Sequence, residues 1–200
     1  MAVTIEEIKR LKNLTGAGLT DAKRALEEAK GDFDAALDAM RKKGLTKADK
    51  RGEREAKDGL VVTYNHDSRI GVVVEINCET SFVAKTEEFK ALGQDVAMHI
   101  VASNPEYISM DHIPNEVKEA KAAEFKAKVV EEGKPADIAD KIVEGMLNKY
   151  FAERSLMDQP FVKDQDKKVS MVIKEVIAKL GENIVVGKMA RIELGQRLED

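Results

Sequence analysis

Two segments rich in valine and isoleucine constrain the fold of this chain most strongly. They span residues 59–65 and 70–77, and the residues between them, 66–69, have the composition of a turn. Short runs of β-branched residues on either side of a turn predict a β-hairpin. A third strand candidate, residues 183–194, lies much later in the chain. The pattern predicts an α+β fold in which a small, mainly antiparallel three-stranded sheet packs with several helices.

Helices are predicted between the hairpin and the third strand from the spacing of apolar residues. They cover about residues 86–103, 114–132, 135–156 and 167–180. Pro114 and Pro135 suit the first position of a helix, where the missing N–H is not needed. Gly133 suits a helix end. A three-stranded sheet has two exposed edges, so either helices or another chain must cover them.

The first 44 residues predict a unit of three short amphipathic helices. Thr4 and Glu7 have the spacing of a capping box at the start of the first helix. Thr20 and Asp32 are candidate caps for the second and third helices, and Gly44 is a candidate end for the third. Residues 45–58 are almost entirely polar, which is typical of a linker or of an exposed helical arm. We therefore divide the chain into residues 1–44, a charged linker at 45–58 and an α+β region at 59–200.

Composition and charge exclude several classes of protein. The chain is 43% apolar and 35% charged, which suits a globular protein with a real core. Its net charge of -4 argues against a general nucleic-acid binder. No apolar run approaches the ~20 residues of a membrane helix, and no secretory signal is visible at the N-terminus. We therefore expect a cytoplasmic protein with neither a nucleic-acid nor a membrane partner.

Catalytic and metal-binding patterns are missing from the sequence. His66, His99 and His112 have no metal-ligand spacing with one another or with Cys78, the single cysteine. A lone histidine on a helix, such as His99, is more often a packed or surface residue than a ligand. The glycine pair at 16–18 lacks the third glycine and the preceding strand of a dinucleotide-binding loop. We predict no catalytic residue, no cofactor and no metal site.

The segment that follows the hairpin raises a question about Phe82. Residues 77–89 read N-C-E-T-S-F-V-A-K-T-E-E-F. If a helix begins at Ser81, Phe82 lies on the same face as Phe89 and is ordinary core. If the helix begins at Thr86, with glutamates in its first turn, Phe82 projects from a connecting segment and could anchor an interface. Thr86 is the better start, because it can cap the helix, but the residues alone leave open whether Phe82 is core or an interface anchor.

Several ordered motifs resemble those of the elongation factor Ts family. Residues 77–85, N-C-E-T-S-F-V-A-K, resemble the family signature N-C-x-T-D-F-V-A-K/R. Further matching segments are T-G-A-G at 15–18, D-A-K-R-A-L at 21–26, G-D at 31–32, M-R-K-K-G at 40–44, Q-P-F-V at 159–162 and G-E-N-I at 181–184. The resemblance spans essentially the whole chain.

The resemblance implies a guanine nucleotide exchange factor for elongation factor Tu, which performs no covalent chemistry. It implies that residues 1–44 are a ubiquitin-associated-like module that docks on the nucleotide domain of that GTPase. It also implies that short members of the family form homodimers, in which each chain supplies half of a combined sheet through the region 59–200. An adaptor or dimerisation protein without exchange activity is the alternative.

Individual contact residues follow from the same resemblance. The family loop that presses into the GTPase near its magnesium site matches Thr80, Ser81, Phe82 and Val83. Family docking contacts match Lys9, Lys12, Leu19 and Lys23 in the first module and Arg51 in the linker. Where the family usually has aspartate, this chain has Ser81, so any charge-assisted contact at that position becomes a neutral one.

Overall fold

The structure is a computed structural model that describes residues 3–132 and 135–196, apart from the side chains of residues 136 and 137. Its helices are α1 (Ile5–Thr15), α2 (Leu19–Glu28), α3 (Phe33–Asp49), α4 (Ser81–Ala84), α5 (Glu87–Ser103), α6 (Asn115–Glu131), α7 (Ala136–Ala152) and α8 (Val169–Leu180). Its strands are β1 (Asp58–His66), β2 (Ile70–Cys78), β3 (Pro160–Phe161), β4 (Asp164–Lys168) and β5 (Ile184–Glu193). The predicted helix end at Gly133 lies outside the described residues.

The main sheet has the strand order β1-β2-β5, and both pairings are antiparallel. The hairpin turn places Asp67 and Ser68 at positive φ angles of 51° and 56°. The backbone N–H of Arg69 donates to the carbonyl of His66 at 3.0 Å, and the positive φ angles of the two residues between them give this β-turn a twist that matches the flanking strands. The predicted α+β class and the three-stranded antiparallel sheet are confirmed.

One face of this sheet carries the larger core of the protein. Val62, Val74 and Ile76 point from it toward α5 and α8 and are almost completely buried. Helix α5 comes so close to the sheet that a Cβ atom added to Gly93 would lie 2.7 Å from Val62 Cγ2. The helix can therefore lie flat on the sheet only because residue 93 has no side chain.

The three N-terminal helices enclose a separate, smaller core. Its fully buried members are Leu11, Ala22, Leu26 and Ala36. The capping box of Thr4 with Glu7 and the cap at Asp32 are confirmed. The prediction that Thr20 caps α2 is wrong, because α2 begins at Leu19 after an N-cap at Gly18.

Helix α3 does not end at Gly44 as predicted but continues to Asp49. A Cβ atom at Gly44 would lie 3.0 Å from Ala178 Cβ of α8, so the glycine permits close packing between the two helices. Four residues later, Ala48 is buried in the core of the main sheet. Packing against α8 thus outweighs the low helix propensity of glycine. The start of the predicted linker is helical, and the division into domains stays a prediction.

Helices α6 and α7 pack against each other as a helical hairpin. Val129, Ala139 and Val143 form a third small core between them. Pro114 and Pro135 occupy the N-cap positions of these helices, one residue before the predicted place. The pair β3–β4 was not predicted. It delays the start of α8 to Val169, because the two lysines before it belong to β4.

His99 of α5 is buried and binds residues on both sides of β3. Its Nε2 lies 2.9 Å from Gln159 Oε1, and the backbone N–H of Val162 donates to its Nδ1 at 3.2 Å. Because Nδ1 accepts a hydrogen bond, the ring is neutral and Nε2 carries its proton. Gln159 Nε2 donates in turn to the backbone carbonyls of Ser103 and Glu153. His99 is therefore a packed residue of the core, as expected.

This buried ring predicts a pH dependence of stability. Burial lowers the pKa of His99 from its ordinary value of 6.5, although the bond to Gln159 opposes the shift. The unfolded chain then binds a proton at pH values where the folded chain does not. Stability therefore falls as the pH drops below 6.5, by at most about 1.4 kcal/mol per pH unit for one proton. We expect His99→Gln to reduce this slope in urea unfolding followed by circular dichroism, with His66→Gln, a substitution at an exposed position, as the matched control. An unchanged slope in His99→Gln would assign the pH dependence to other groups.

Candidate functional site

The connection between β2 and α5 contains a single helical turn, α4 (Ser81–Ala84). Thr86 caps α5, because its hydroxyl accepts from the backbone N–H of Phe89 at 3.3 Å, and two glutamates follow it in the first turn. The interpretation in which α5 begins at Thr86 is the correct one. Ser81 begins only the short turn before it.

Phe82 projects from this turn into solvent. Its side chain is 82% exposed, whereas Phe89, seven residues later, is 0% exposed. The next two residues point the other way, since Val83 packs against the large core and Ala84 is buried in it. The turn is thus fixed on its inner side and presents one large aromatic ring on its outer side. The interpretation of Phe82 as part of the core is wrong.

Thr80, the residue before α4, binds a distant part of the chain. Its backbone N–H donates to Glu182 Oε2 at 3.0 Å, and its hydroxyl donates to Glu182 Oε1 at 2.6 Å. Its carbonyl oxygen accepts from Cys78 Sγ at 3.2 Å. Burial raises the pKa of the Cys78 thiol, and the charge of Glu182 raises it further. The cysteine is therefore a protonated donor within the fold and not an activated nucleophile.

Asn183 adds a second link between the same segments. Its backbone N–H donates to Glu79 Oε1 at 2.7 Å. Its side-chain amide donates to the carbonyl of Arg54 at 2.7 Å and to that of Gly52 at 3.3 Å. Arg54 Nη1 also lies 3.5 Å from Glu79 Oε1. The chain before β1, the end of β2 and the start of β5 are therefore joined beside the turn that carries Phe82.

Sequence reasoning assigned no role to Glu182 or Asn183. Both belong to the G-E-N-I segment that resembles the family, and both are polar residues next to a strand of valine and isoleucine. Their position beside the strand was the only local indication that these two residues have a role. Their partners, however, lie about a hundred positions earlier in the chain, so the pairing could not be predicted from local pattern.

The predicted docking residues lie on different elements from Phe82. Lys9 and Lys12 are exposed on α1, while Leu19, 53% exposed, and Lys23 are exposed on α2. Arg51 is half-buried in the turn after α3. Its Nη1 is buried and has no hydrogen-bond partner among the described residues. Thr80, Ser81, Phe82 and Val83 form one continuous segment, whereas the docking residues are dispersed over three elements.

The described residues hold neither a metal-binding cluster nor a membrane-spanning helix. In residues 3–132 and 135–196, no cluster of three or more histidine, cysteine, aspartate or glutamate side chains is placed to hold a metal ion. Within the same part of the chain, no helix combines the length and the apolar character required to cross a membrane.

Known proteins match this chain over nearly its whole length. Residues 44–196 match the sequence profile of the family described as Elongation factor TS. Elongation factor Ts of Syntrophomonas wolfei is 50% identical over 198 residues, which cover 98% of this chain and 92% of the relative. The elongation factors Ts of Thermodesulfovibrio yellowstonii and Syntrophus aciditrophicus are each 46% identical over 200 residues, the full length of both chains. The chain therefore belongs to the elongation factor Ts family.

Proposed function

We propose that this chain is a translation elongation factor that accelerates GDP release from elongation factor Tu in the cytoplasm. It binds the nucleotide domain of the GTPase, disturbs the magnesium site and stabilises the nucleotide-free state. It breaks no covalent bond and needs no cofactor of its own. The observation that carries the proposal is the 82% exposure of Phe82 on a turn that is otherwise fixed to the core.

The proposed mechanism depends on a contact that exists in only one state of the partner. An exchange factor must bind the nucleotide-free GTPase more tightly than the GDP-bound form, and GDP must then weaken the binding of the factor by the same ratio. The ring of Phe82 is exposed in the free factor and gains its burial only when the GTPase opens to receive it. Displacement of the magnesium ion removes a large positive charge from the phosphates, so that GDP dissociates faster.

The other proposed contacts have supporting roles. Thr80 and Val83 attach the turn to the rest of the chain. Ser81 offers a neutral hydroxyl beside the ring, where the family usually has a carboxylate. Lys9, Lys12, Leu19, Lys23 and Arg51 form the proposed docking contacts. Four of these five carry positive charge, which suits a partner surface that is acidic.

A nucleotide-release assay tests this proposal directly. Elongation factor Tu is loaded with a fluorescent GDP analogue and mixed with the factor and excess GDP in a stopped-flow instrument. We expect the release rate to rise and then saturate with the concentration of the factor. Binding of the two proteins without faster release would favour the adaptor alternative, and the absence of any binding would contradict both.

We also propose that the partners include a second copy of this chain. The face of the main sheet opposite the core carries exposed apolar side chains: Val61, Val73, Val185 and Ile192. Strands β1 and β5 are the edges of that sheet. Exposed apolar side chains next to strand edges are suited to pairing with another sheet.

The substitution Ile192→Glu tests this pairing. Ile192 is 76% exposed in the single chain, so we expect the fold to tolerate a glutamate, whose charge would be expensive to bury in an interface between two copies. Sedimentation velocity should show a dimer for the wild type and a monomer for the variant. Val130→Glu, an exposed position on α6, is the matched control. A monomeric wild type, or a dimer that persists in Ile192→Glu, would contradict the proposal.

A further inference from the structure

We propose that Glu182 is a positioning residue for Phe82. Its carboxylate holds Thr80, and through Thr80 it sets the direction in which α4 presents the aromatic ring. The inference rests on the proposed function of Phe82 and adds to it a residue that lies outside the signature segment.

The first support is the number of bonds at Thr80. Both of its donors, the backbone N–H and the hydroxyl, bind the two oxygens of one carboxylate at 3.0 and 2.6 Å. Bonds to an ionised acceptor are stronger than neutral ones, and two parallel bonds also fix an orientation. The carbonyl of Thr80 accepts from Cys78 Sγ and from the backbone N–H of Ala84. Each polar group of this residue is therefore engaged.

The start of α4 lacks a hydrogen bond from its own N-cap side chain. Thr80 is the N-cap residue of α4, yet its side chain makes no capping bond to that helix. A threonine at this position ordinarily accepts a bond from the helix that follows, as Thr86 does at the start of α5. A helix of four residues is also too short to be stable by itself. The geometry of α4 is therefore set from outside: Val83 and Ala84 attach its inner side to the core, and Glu182 holds the residue that precedes it.

At the end of the β2–β5 ladder, a carboxylate from each strand end accepts a backbone N–H of the other. The ladder ends at the pair of Cys78 with Ile184. Beyond it, Glu79 accepts the backbone N–H of Asn183, and Glu182 accepts the backbone N–H of Thr80. Two carboxylates thus continue the strand pairing after the backbone ladder has ended. This extension reaches to two residues before Phe82.

Because Phe82 is exposed, its direction depends on how the hydrogen bonds of Glu182 hold Thr80. A ring that is 82% exposed has few contacts that could fix its direction, so the backbone before it must do so. If the turn were free, the partner would have to order it during binding, at a cost in affinity and rate. Glu182 is half-buried beside the turn, and both of its oxygens are already engaged by Thr80.

Hydrogen exchange on the free protein tests the structural step without the GTPase. We expect Glu182→Ala to increase deuterium uptake in a peptide that spans residues 77–84, while peptides from α5 and α8 remain unchanged. Asp166→Ala, at an exposed acidic position on β4, is the control and should change neither. Unchanged uptake in residues 77–84 would overturn the inference, as would a general increase throughout the chain.

A double-mutant cycle in the GDP-release assay tests the functional step. We expect Glu182→Ala to slow release on the order of ten-fold when Phe82 is present and to have little further effect in the background of Phe82→Ala. Glu182→Gln keeps one acceptor oxygen without the charge, so its effect should be smaller.

Equal slowing in both backgrounds would mean that Glu182 acts independently of the ring and would overturn the inference. If the wild-type factor accelerates release and Glu182→Ala does so equally well, only the inference fails. If the wild type does not accelerate release, the proposed function fails with it.

Discussion

Replacement of Phe82 by alanine is expected to slow GDP release from elongation factor Tu by about ten- to a hundred-fold. The estimate follows from the ~1.5–3 kcal/mol that burial of a phenylalanine side chain contributes, converted at a factor of ten per 1.36 kcal/mol. The full effect should appear in the release rate if the ring is buried only after the GTPase has opened. The ring is 82% exposed in the free factor, so its removal leaves no cavity in the fold.

The measurement is the stopped-flow release of a fluorescent GDP analogue over a range of factor concentrations. Phe82→Leu keeps an apolar side chain and should lie between the wild type and Phe82→Ala. Val162→Ala removes an exposed apolar side chain outside the proposed contacts and serves as the matched control. Circular dichroism and the urea midpoint should be unchanged in all three variants. Normal release by a correctly folded Phe82→Ala protein would remove the ring from the mechanism.

The same change at Phe89 should act on stability instead of exchange. Phe89 is 0% exposed and belongs to the core cluster between the main sheet, α5 and α8. Removal of a fully buried aromatic ring deletes its burial energy and leaves a cavity, which together cost about 3–5 kcal/mol. Since native domains are typically stable by about 5–15 kcal/mol, we expect Phe89→Ala to be close to unfolding at 37 °C.

Urea unfolding followed by circular dichroism measures this loss. Phe89→Leu preserves most of the volume and should lose much less stability, whereas Phe82→Ala should remain within about 0.5 kcal/mol of the wild type. At a temperature where Phe89→Ala is folded, its GDP-release activity per folded molecule should be normal. A loss below about 1 kcal/mol would show that the ring is not part of a tightly packed core.

The sequence by itself determined the elements whose causes are local. Valine and isoleucine on either side of a four-residue turn predicted β1 and β2, and both are present. Thr4 with Glu7, and Thr86 with the glutamates after it, predicted helix starts that the structure confirms. Each of these signals acts between residues a few positions apart, so neighbouring residues suffice to produce the structure.

Only the tertiary structure decided the features that depend on distant partners. Helix α3 continues through Gly44 because α8 packs against it there, and no local signal indicates that contact. Phe82 is exposed because Val83 and Ala84, and not Phe82, face the core. Thr80 is held by Glu182, a residue 102 positions later in the chain, and the fold alone brings the two together. Local propensity is worth only tenths of a kcal/mol per residue, so packing and charge-assisted bonds between distant segments outweigh it where they compete.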